Sequence, residues 1–203
     1  MTGGQGYLGP RDMNFLGHLY LAGREPLAVV GNFMADAVKG RDLSRFSEPV
    51  QQGIRLHRAI DNFTDSHPVQ RVGRERLRPH AGRYSGVVMD LFFDHLLALD
   101  WERWHPEPLS DFAQRMYALL LEYAHLMPER TREMLPYMVR YDWLTSYATT
   151  EGLARALHGL SHRVPEGEVM RGAERVLLDH FDEYRTEFGI FLPELSVHLL
   201  EQA

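Results

Sequence analysis

Pairs of polar side chains one helical turn apart recur in this sequence, and their types are those of metal ligands. They interrupt apolar segments that should lie in the core. Burying several carboxylates together is costly unless a cation compensates their charge. A divalent metal ion held by Asp and His from neighbouring helices would compensate it most simply. The pairs are Asn14/His18, Asn32/Asp36, His57/Asp61 and Asp90/Asp94.

The residue types narrow the choice of metal, and they are also compatible with a metal-free arrangement. Oxygen-rich ligands with one or two imidazoles suit Mn²⁺ or Mg²⁺, with Fe²⁺ or Zn²⁺ as alternatives. A buried ion-pair network using Arg55, Arg58 or Lys39 would also account for buried carboxylates. A di-iron bundle is disfavoured, because such bundles use Glu-x-x-His motifs and none occurs here.

The elements that must position these pairs are predicted to be helices. In the stretch 53–65, Leu56, Ile60 and Phe63 recur at helical spacing and form one apolar stripe, with His57 and Asp61 beside it. The stretches 27–38 and 86–104 are apolar on nearly every side, which predicts buried helices. Amphipathic segments continue to the C-terminus, with helix boundaries expected at Pro79 and Pro193, and alternating strand patterns are absent. We therefore expect an all-α bundle of about eight helices.

Composition limits the class of protein. The 203 residues predict one domain, and residues 1–12 are set aside as a tag or disordered leader. The net charge of −6 argues against nucleic-acid binding, and no apolar run is long enough to span a membrane. The absence of cysteine excludes disulfides and thiolate metal sites and fits a cytoplasmic location.

A local basic surface is expected beside the polar pairs despite the negative net charge. Arginines most often occupy a solvated helix face without further role, but a cluster beside a metal site suits a phosphate or an acidic protein. The seven arginines are Arg55, Arg58, Arg71, Arg74, Arg76, Arg78 and Arg83.

Four motifs carry a resemblance to a known family. They are the segments 13–22 (MNFLGHLYLA), 31–36 (GNFMAD), 53–65 (GIRLHRAIDNFTD) and 90–96 (DLFFDHL), with 143–147 (WLTSY) in support. Together they resemble the acyl carrier protein phosphodiesterases, also called acyl carrier protein hydrolyases. The resemblance implies a single all-α phosphodiesterase domain over 13–203, distantly related to HD-type phosphohydrolases. It also implies Mn²⁺-dependent hydrolysis of the 4′-phosphopantetheine ester of holo acyl carrier protein, giving the apo protein.

The resemblance implies that the polar site positions are His18, Asn32, Asp36, His57, Asp61, Asp65, Asp90, Asp94 and His95, and we assign the following roles as a hypothesis. The metal ligands would be Asp36, His57, Asp61, Asp90 and Asp94. His18 or His95 would protonate the serine leaving group, and Arg58 would stabilise charge on the phosphoryl oxygens. Substrate contacts would come from Asn32, Arg58, Asp65, Arg71 and Arg74, with the 71–83 surface docking the acidic carrier protein.

Two other functions remain open at this point. The same metal site would serve an HD-like nucleotide or alarmone phosphohydrolase, with Trp101, Tyr84 or Phe63 stacking on a base. A non-enzymatic helical binding protein would keep the polar pairs for structural reasons alone. The sequence leaves the oligomeric state open between monomer and dimer, and its C-terminal third would suit a lid or a dimer surface.

Overall fold

The computed structural model describes residues 15–202, and these residues form helices, turns and loops without a β-strand. The all-α prediction is confirmed. The proposed leader, residues 1–12, and Asn14 lie outside the described residues. The α-helices are α1 (Phe15–Leu21), α2 (Pro26–Met34), α3 (Glu48–Ser66), α4 (Pro68–Ala81), α5 (Ser85–Leu99), α6 (Trp101–Trp104), α7 (Leu109–Glu122), α8 (Glu129–Arg140), α9 (Trp143–Ser146), α10 (Thr150–Ser161), α11 (Ala173–Asp179) and α12 (Phe181–Glu201).

Among these residues, eight helices have nine or more residues, namely α2, α3, α4, α5, α7, α8, α10 and α12. That number matches the bundle of about eight helices expected from the sequence. Short 3-10 segments join some of them, and the one at Ala35–Ala37 carries Asp36 directly after α2. No helix in the described part of the chain is both long and apolar enough to cross a membrane.

Two predicted helix boundaries at proline are wrong. The sequence pattern places helix ends near Pro79 and Pro193, yet both prolines lie inside helices, α4 and α12. A proline inside a helix removes one backbone donor and crowds the preceding turn. In α12, Phe188, Phe191 and Leu192 on the preceding turns are buried in the core, so packing keeps the helix continuous.

Helix α5 is the central element of the bundle. Every residue from Val87 to Ala98 except Asp90 is buried, as the uniformly apolar sequence predicted. Helices α1, α4, α10 and α12 all pack against it. The predicted helix 86–104 is interrupted at Asp100, after which α6 adds a single turn. Asp90 and Asp94 are therefore held on a rigid, enclosed helix.

Helices α2 and α3 approach each other so closely that two glycines are required between them. A Cβ added at Gly53 would lie 2.0 Å from the Ala28 carbonyl oxygen, and one at Gly31 would lie 2.2 Å from that of Val50. Backbone atoms cannot give way as a flexible side chain does. This contact brings Asn32 on α2 against His57 on α3, and it therefore sets the geometry of the site.

Candidate metal centre

Two buried histidines from different helices are stacked on each other and share one amide. The rings of His18 on α1 and His57 on α3 are 4.0 Å apart. Both Nδ1 atoms donate to the Asn32 side-chain oxygen, at 3.1 Å and 3.3 Å, while the Asn32 amide donates to the His18 carbonyl. Because Nδ1 of each ring carries the proton, the Nε2 atoms are left available as ligands.

Two carboxylates converge on these Nε2 atoms. His57 Nε2 lies 3.1 Å from Asp36 Oδ1 and 3.3 Å from Asp61 Oδ2, and His18 Nε2 lies 3.3 Å from Asp61 Oδ1. One ligand atom from each of His18, His57 and Asp61 lies within 4.8 Å of the other two. We call these three residues and Asp36 the HHDD cluster. Its donor atoms have the types and spacing of a divalent metal site.

The electrostatics of the HHDD cluster favour a cation at its centre. Burial would lower the pKa of His57, but the Asp36 and Asp61 carboxylates outweigh it and raise the pKa to about 10. Burial would raise the pKa of Asp61, but His18 and His57 hold it well below its usual range. A proton on His57 therefore occupies the place between two carboxylates that a metal ion would take.

An unpartnered atom supports the fit of a metal. His18 Nε2 is buried and has no hydrogen-bond partner within the described residues, although Asp61 Oδ1 lies 3.3 Å away. Burial and the charge of His57 lower the pKa of His18, which favours the neutral form of its ring. A buried nitrogen lone pair without a donor is costly, and metal coordination would satisfy it. The side chains present therefore fit a divalent ion.

Asp94 lies outside the HHDD cluster and is bonded to the backbone of α1, and its role as a ligand stays a prediction. Its Oδ2 accepts from the Leu16 amide at 3.0 Å and its Oδ1 from the Gly17 amide at 2.8 Å. Both oxygens thus hold the first turn of α1, directly before His18. Burial raises the pKa of Asp94 to about 7, although these two amides act in the opposite direction.

Replacing Asp94 by Asn is expected to weaken the pH dependence of stability in metal-free protein. The folded pKa of about 7 lies above the ordinary value of 3.8, so the folded state binds the proton more tightly. The free energy of unfolding should then fall as pH rises from about 4 through about 7, by up to about 1.4 kcal/mol per unit. Urea unfolding with EDTA at several pH values measures this slope. An equal slope in both proteins would contradict the assignment.

Two further predicted site residues on α5 are also placed outside the HHDD cluster. His95 is buried, and its Nδ1 donates to the Tyr147 carbonyl at 2.7 Å, so it braces the segment after α9. Asp90 reaches the edge of a cleft next to the HHDD cluster, where burial and the charges of Asp61, Asp65 and Asp94 raise its pKa. Among the described residues, Asp90 and His95 therefore lie outside the group whose donor atoms come together, and the role of Asp90 as a ligand stays a prediction.

A cleft of about 1140 Å³ opens beside the HHDD cluster, and Asp61 lines it. The structure divides the seven arginines into those that line this cleft and those that do not. Arg55 pairs with Glu48, and Arg76 pairs with Glu187. The arginines that line the cleft are Arg71, Arg74, Arg78 and Arg83.

Arg58, Asn32 and Asp65, which are predicted to bind substrate, lie in three different surroundings. Arg58 Nη2 donates to the carbonyls of Val38 and Gly40, at 3.3 Å and 2.8 Å, and is not among the residues that line the cleft. Asn32 is completely buried beneath the two histidines, so it orients them and cannot reach a substrate. Asp65 is exposed at the cleft and pairs with Arg74.

Sequence reasoning missed two features of this site. It assigned His18 the role of an acid, but the structure places its Nε2 among the candidate ligands. Gln70, which precedes the cleft residue Arg71, is buried with an unpartnered side-chain nitrogen. Its position two residues after a helix-opening proline gave no signal of burial in the sequence.

This protein is therefore an all-α bundle with a His-His-Asp candidate metal centre, which lies at the edge of an arginine-lined cleft. The family model described as "Acyl carrier protein phosphodiesterase" matches residues 13–195. The chain belongs to this family. The sequence resemblance is thereby confirmed.

Curated relatives that carry this name include three bacterial proteins. The protein from Photorhabdus laumondii is 30% identical over 192 residues, which is 94% of this chain and 95% of the relative. The protein from Pectobacterium atrosepticum is 32% identical over 184 residues, 90% and 95% of the two chains. The protein from Enterobacter sp. strain 638 is 31% identical over 186 residues, 91% and 96%. No solved structure matches the chain.

Proposed function

We propose that this protein is a metal-dependent phosphodiesterase that hydrolyses 4′-phosphopantetheine from holo acyl carrier protein to give the apo protein. The observation that carries the proposal is the HHDD cluster at the edge of a cleft lined by four arginines. Membership of the acyl carrier protein phosphodiesterase family supports the substrate and the bond that is cleaved. A cytoplasmic location belongs to the same proposal.

His18, His57 and Asp61 are the proposed ligands, with Asp36 as a fourth, and Mn²⁺ is the favoured ion with Mg²⁺ or Fe²⁺ as alternatives. When bound, a divalent ion supplies Lewis-acid stabilisation of charge on the phosphoryl oxygens. Asn32 keeps both rings in the tautomer that offers Nε2 to the ion, and such supporting residues strongly affect metal affinity.

The cleft residues bind and orient the phosphodiester next to the HHDD cluster. Arg71 and Arg74 present guanidinium groups that match a phosphate or an acidic carrier protein. The departing serine oxygen needs a proton. Because His18 is a candidate ligand and His95 is bonded to Tyr147, we assign this proton to Asp90, which lines the cleft and whose pKa is raised by burial.

The nucleotide phosphohydrolase alternative requires an aromatic side chain that can stack on a base. Trp101 is buried against Tyr20 and Phe112, and Phe63 packs against Phe191. Tyr84 is buried at the cleft wall, and its hydroxyl donates to the Pro165 carbonyl. Trp101 and Tyr84 are thus buried, and Phe63 is half-buried against the side chains of α12.

The proposal is tested by mass spectrometry of holo acyl carrier protein incubated with the purified protein, in Mn²⁺ and in EDTA. Loss of the phosphopantetheine mass with Mn²⁺ and retention with EDTA is the expected result. Retention under both conditions would overturn the proposed substrate. A parallel panel of nucleotide phosphates would then show whether the same centre acts on the alternative class.

A further inference from the structure

A small cavity lies directly behind the HHDD cluster. Its volume is about 40 Å³, and His18 lines it while pointing Nε2 toward the other ligands. Thr64 and Asp90 line both this cavity and the arginine-lined cleft, and Asp94 lines the cavity alone. Much of the remaining lining is apolar and includes Phe93, Leu97, Phe188, Phe191, Leu192 and Leu195.

Gln70 is the one polar side chain of the cavity wall with an unsatisfied donor among the described residues. It is only 1% exposed, and its Nε2 has no hydrogen-bond partner there. A buried amide N–H group without an acceptor destabilises the folded protein. A ligand that binds beside the reaction centre and supplies an acceptor would account for this unpartnered donor.

We propose that this cavity is the subsite for the pantoyl portion of the phosphopantetheine arm, with Gln70 as the residue that recognises its first amide. This inference rests on the proposed function and names the residue that would select the arm. The branched dimethyl carbon contacts the apolar wall, and the carbonyl oxygen of the following amide accepts a hydrogen bond from Gln70 Nε2.

The chemistry of the arm matches the kinds of group that line the cavity. From the phosphate outward, the arm presents a methylene group, a carbon with two methyl groups, a hydroxyl-bearing carbon and then an amide. The cavity is lined by His18 of the HHDD cluster, by apolar side chains and by one amide with an unpartnered donor. Its volume of about 40 Å³ is too small for a nucleobase.

A buried water bound by Gln70 is the competing hypothesis, and the two differ in their effect on substrate. A water would satisfy Gln70 without any role in selection. A ligand acceptor makes Gln70 necessary only for substrates that carry the pantoyl amide. Phosphodiesters without this group therefore distinguish the two.

The test is Gln70→Met, which keeps the length of the side chain and removes its donor. For holo acyl carrier protein we expect kcat/KM to fall about tenfold or more, the loss expected for one hydrogen bond. For bis(p-nitrophenyl) phosphate, which has no pantoyl group, kcat/KM should stay within about twofold of wild type. Gln52→Met, the same change at an exposed position on α3, should alter neither substrate.

The outcomes separate this inference from the proposed function. If wild type cleaves holo acyl carrier protein and Gln70→Met cleaves it equally well, the subsite is wrong and a water satisfies Gln70. If wild type does not cleave that substrate, the proposed function fails. An equal loss for both phosphodiesters would show general damage to the site and would also overturn the inference.

A binding measurement on wild-type protein does not depend on how the variant folds. Calorimetric titration with free 4′-phosphopantetheine and with inorganic phosphate compares a ligand that has the arm with one that lacks it. We expect the arm to tighten binding by about tenfold or more, the gain of one hydrogen bond and a buried pair of methyl groups. Equal affinity for the two ligands would show that the cavity does not bind the pantoyl group.

Discussion

His57→Ala is expected to lower metal-dependent turnover by roughly a thousandfold or more and to abolish stoichiometric metal binding. The variant removes the Nε2 atom that lies 3.1 Å from Asp36 and 3.3 Å from Asp61, and so leaves the two carboxylates without the residue between them. Metal stabilisation of transition-state charge is worth several kcal/mol, and each 1.36 kcal/mol is about a factor of ten in rate. Mass spectrometry of the carrier protein gives the turnover, and elemental analysis gives the metal content.

The matched control is His125→Ala, which removes an exposed histidine from the short 3-10 segment Ala124–Leu126. It should retain the metal content and turnover of wild type. Circular dichroism of both variants checks that the helices persist. Near-normal turnover in His57→Ala with an intact fold would show that the HHDD cluster is not the reaction centre.

The sequence predicted the residue types of the site better than it predicted which of them meet. Asp61 and Asp94 show the same i,i+4 pattern in a helix, yet only Asp61 reaches the histidines. What distinguishes them is a contact of Asp94 with the Gly17 amide, 77 residues away in the chain. Periodicity describes one helix at a time, so a partner on another helix is invisible to it.

The arginines illustrate the same limit. The sequence placed Arg74 and Arg76 in one basic surface, but they are two residues apart and so point to different sides of α4. Arg74 lines the cleft, whereas Arg76 forms a bidentate pair with Glu187 of α12. The all-α class followed from helical spacing alone. The position of α12 required the tertiary structure, because the sequence around Pro193 suggested a break.

The close approach of α2 and α3 shows how the fold fixes the site, and Gly53→Ala tests it. A Cβ at this position would lie 2.0 Å from the Ala28 carbonyl oxygen and 2.7 Å from the Asn32 amide nitrogen, both of them backbone atoms of α2. The two helices would have to separate, which we expect to lower the free energy of unfolding by about 3 kcal/mol. Separation also moves Asn32 away from His57, so metal affinity should fall together with stability.

The control for this change is Gly159→Ala on α10, where an added Cβ meets nothing within 4 Å. Alanine favours a helix over glycine, so this variant should be more stable than wild type by about 0.5–1 kcal/mol, with unchanged metal affinity. Urea unfolding and metal titration of both variants measure the two effects. If the two variants showed the same changes in stability and in metal affinity, the close approach of α2 and α3 would not be what positions Asn32 and His57. The expected result is a loss of stability and of metal affinity in Gly53→Ala and a gain of stability in Gly159→Ala. It would show that metal binding by the HHDD cluster depends on one backbone contact outside the cluster.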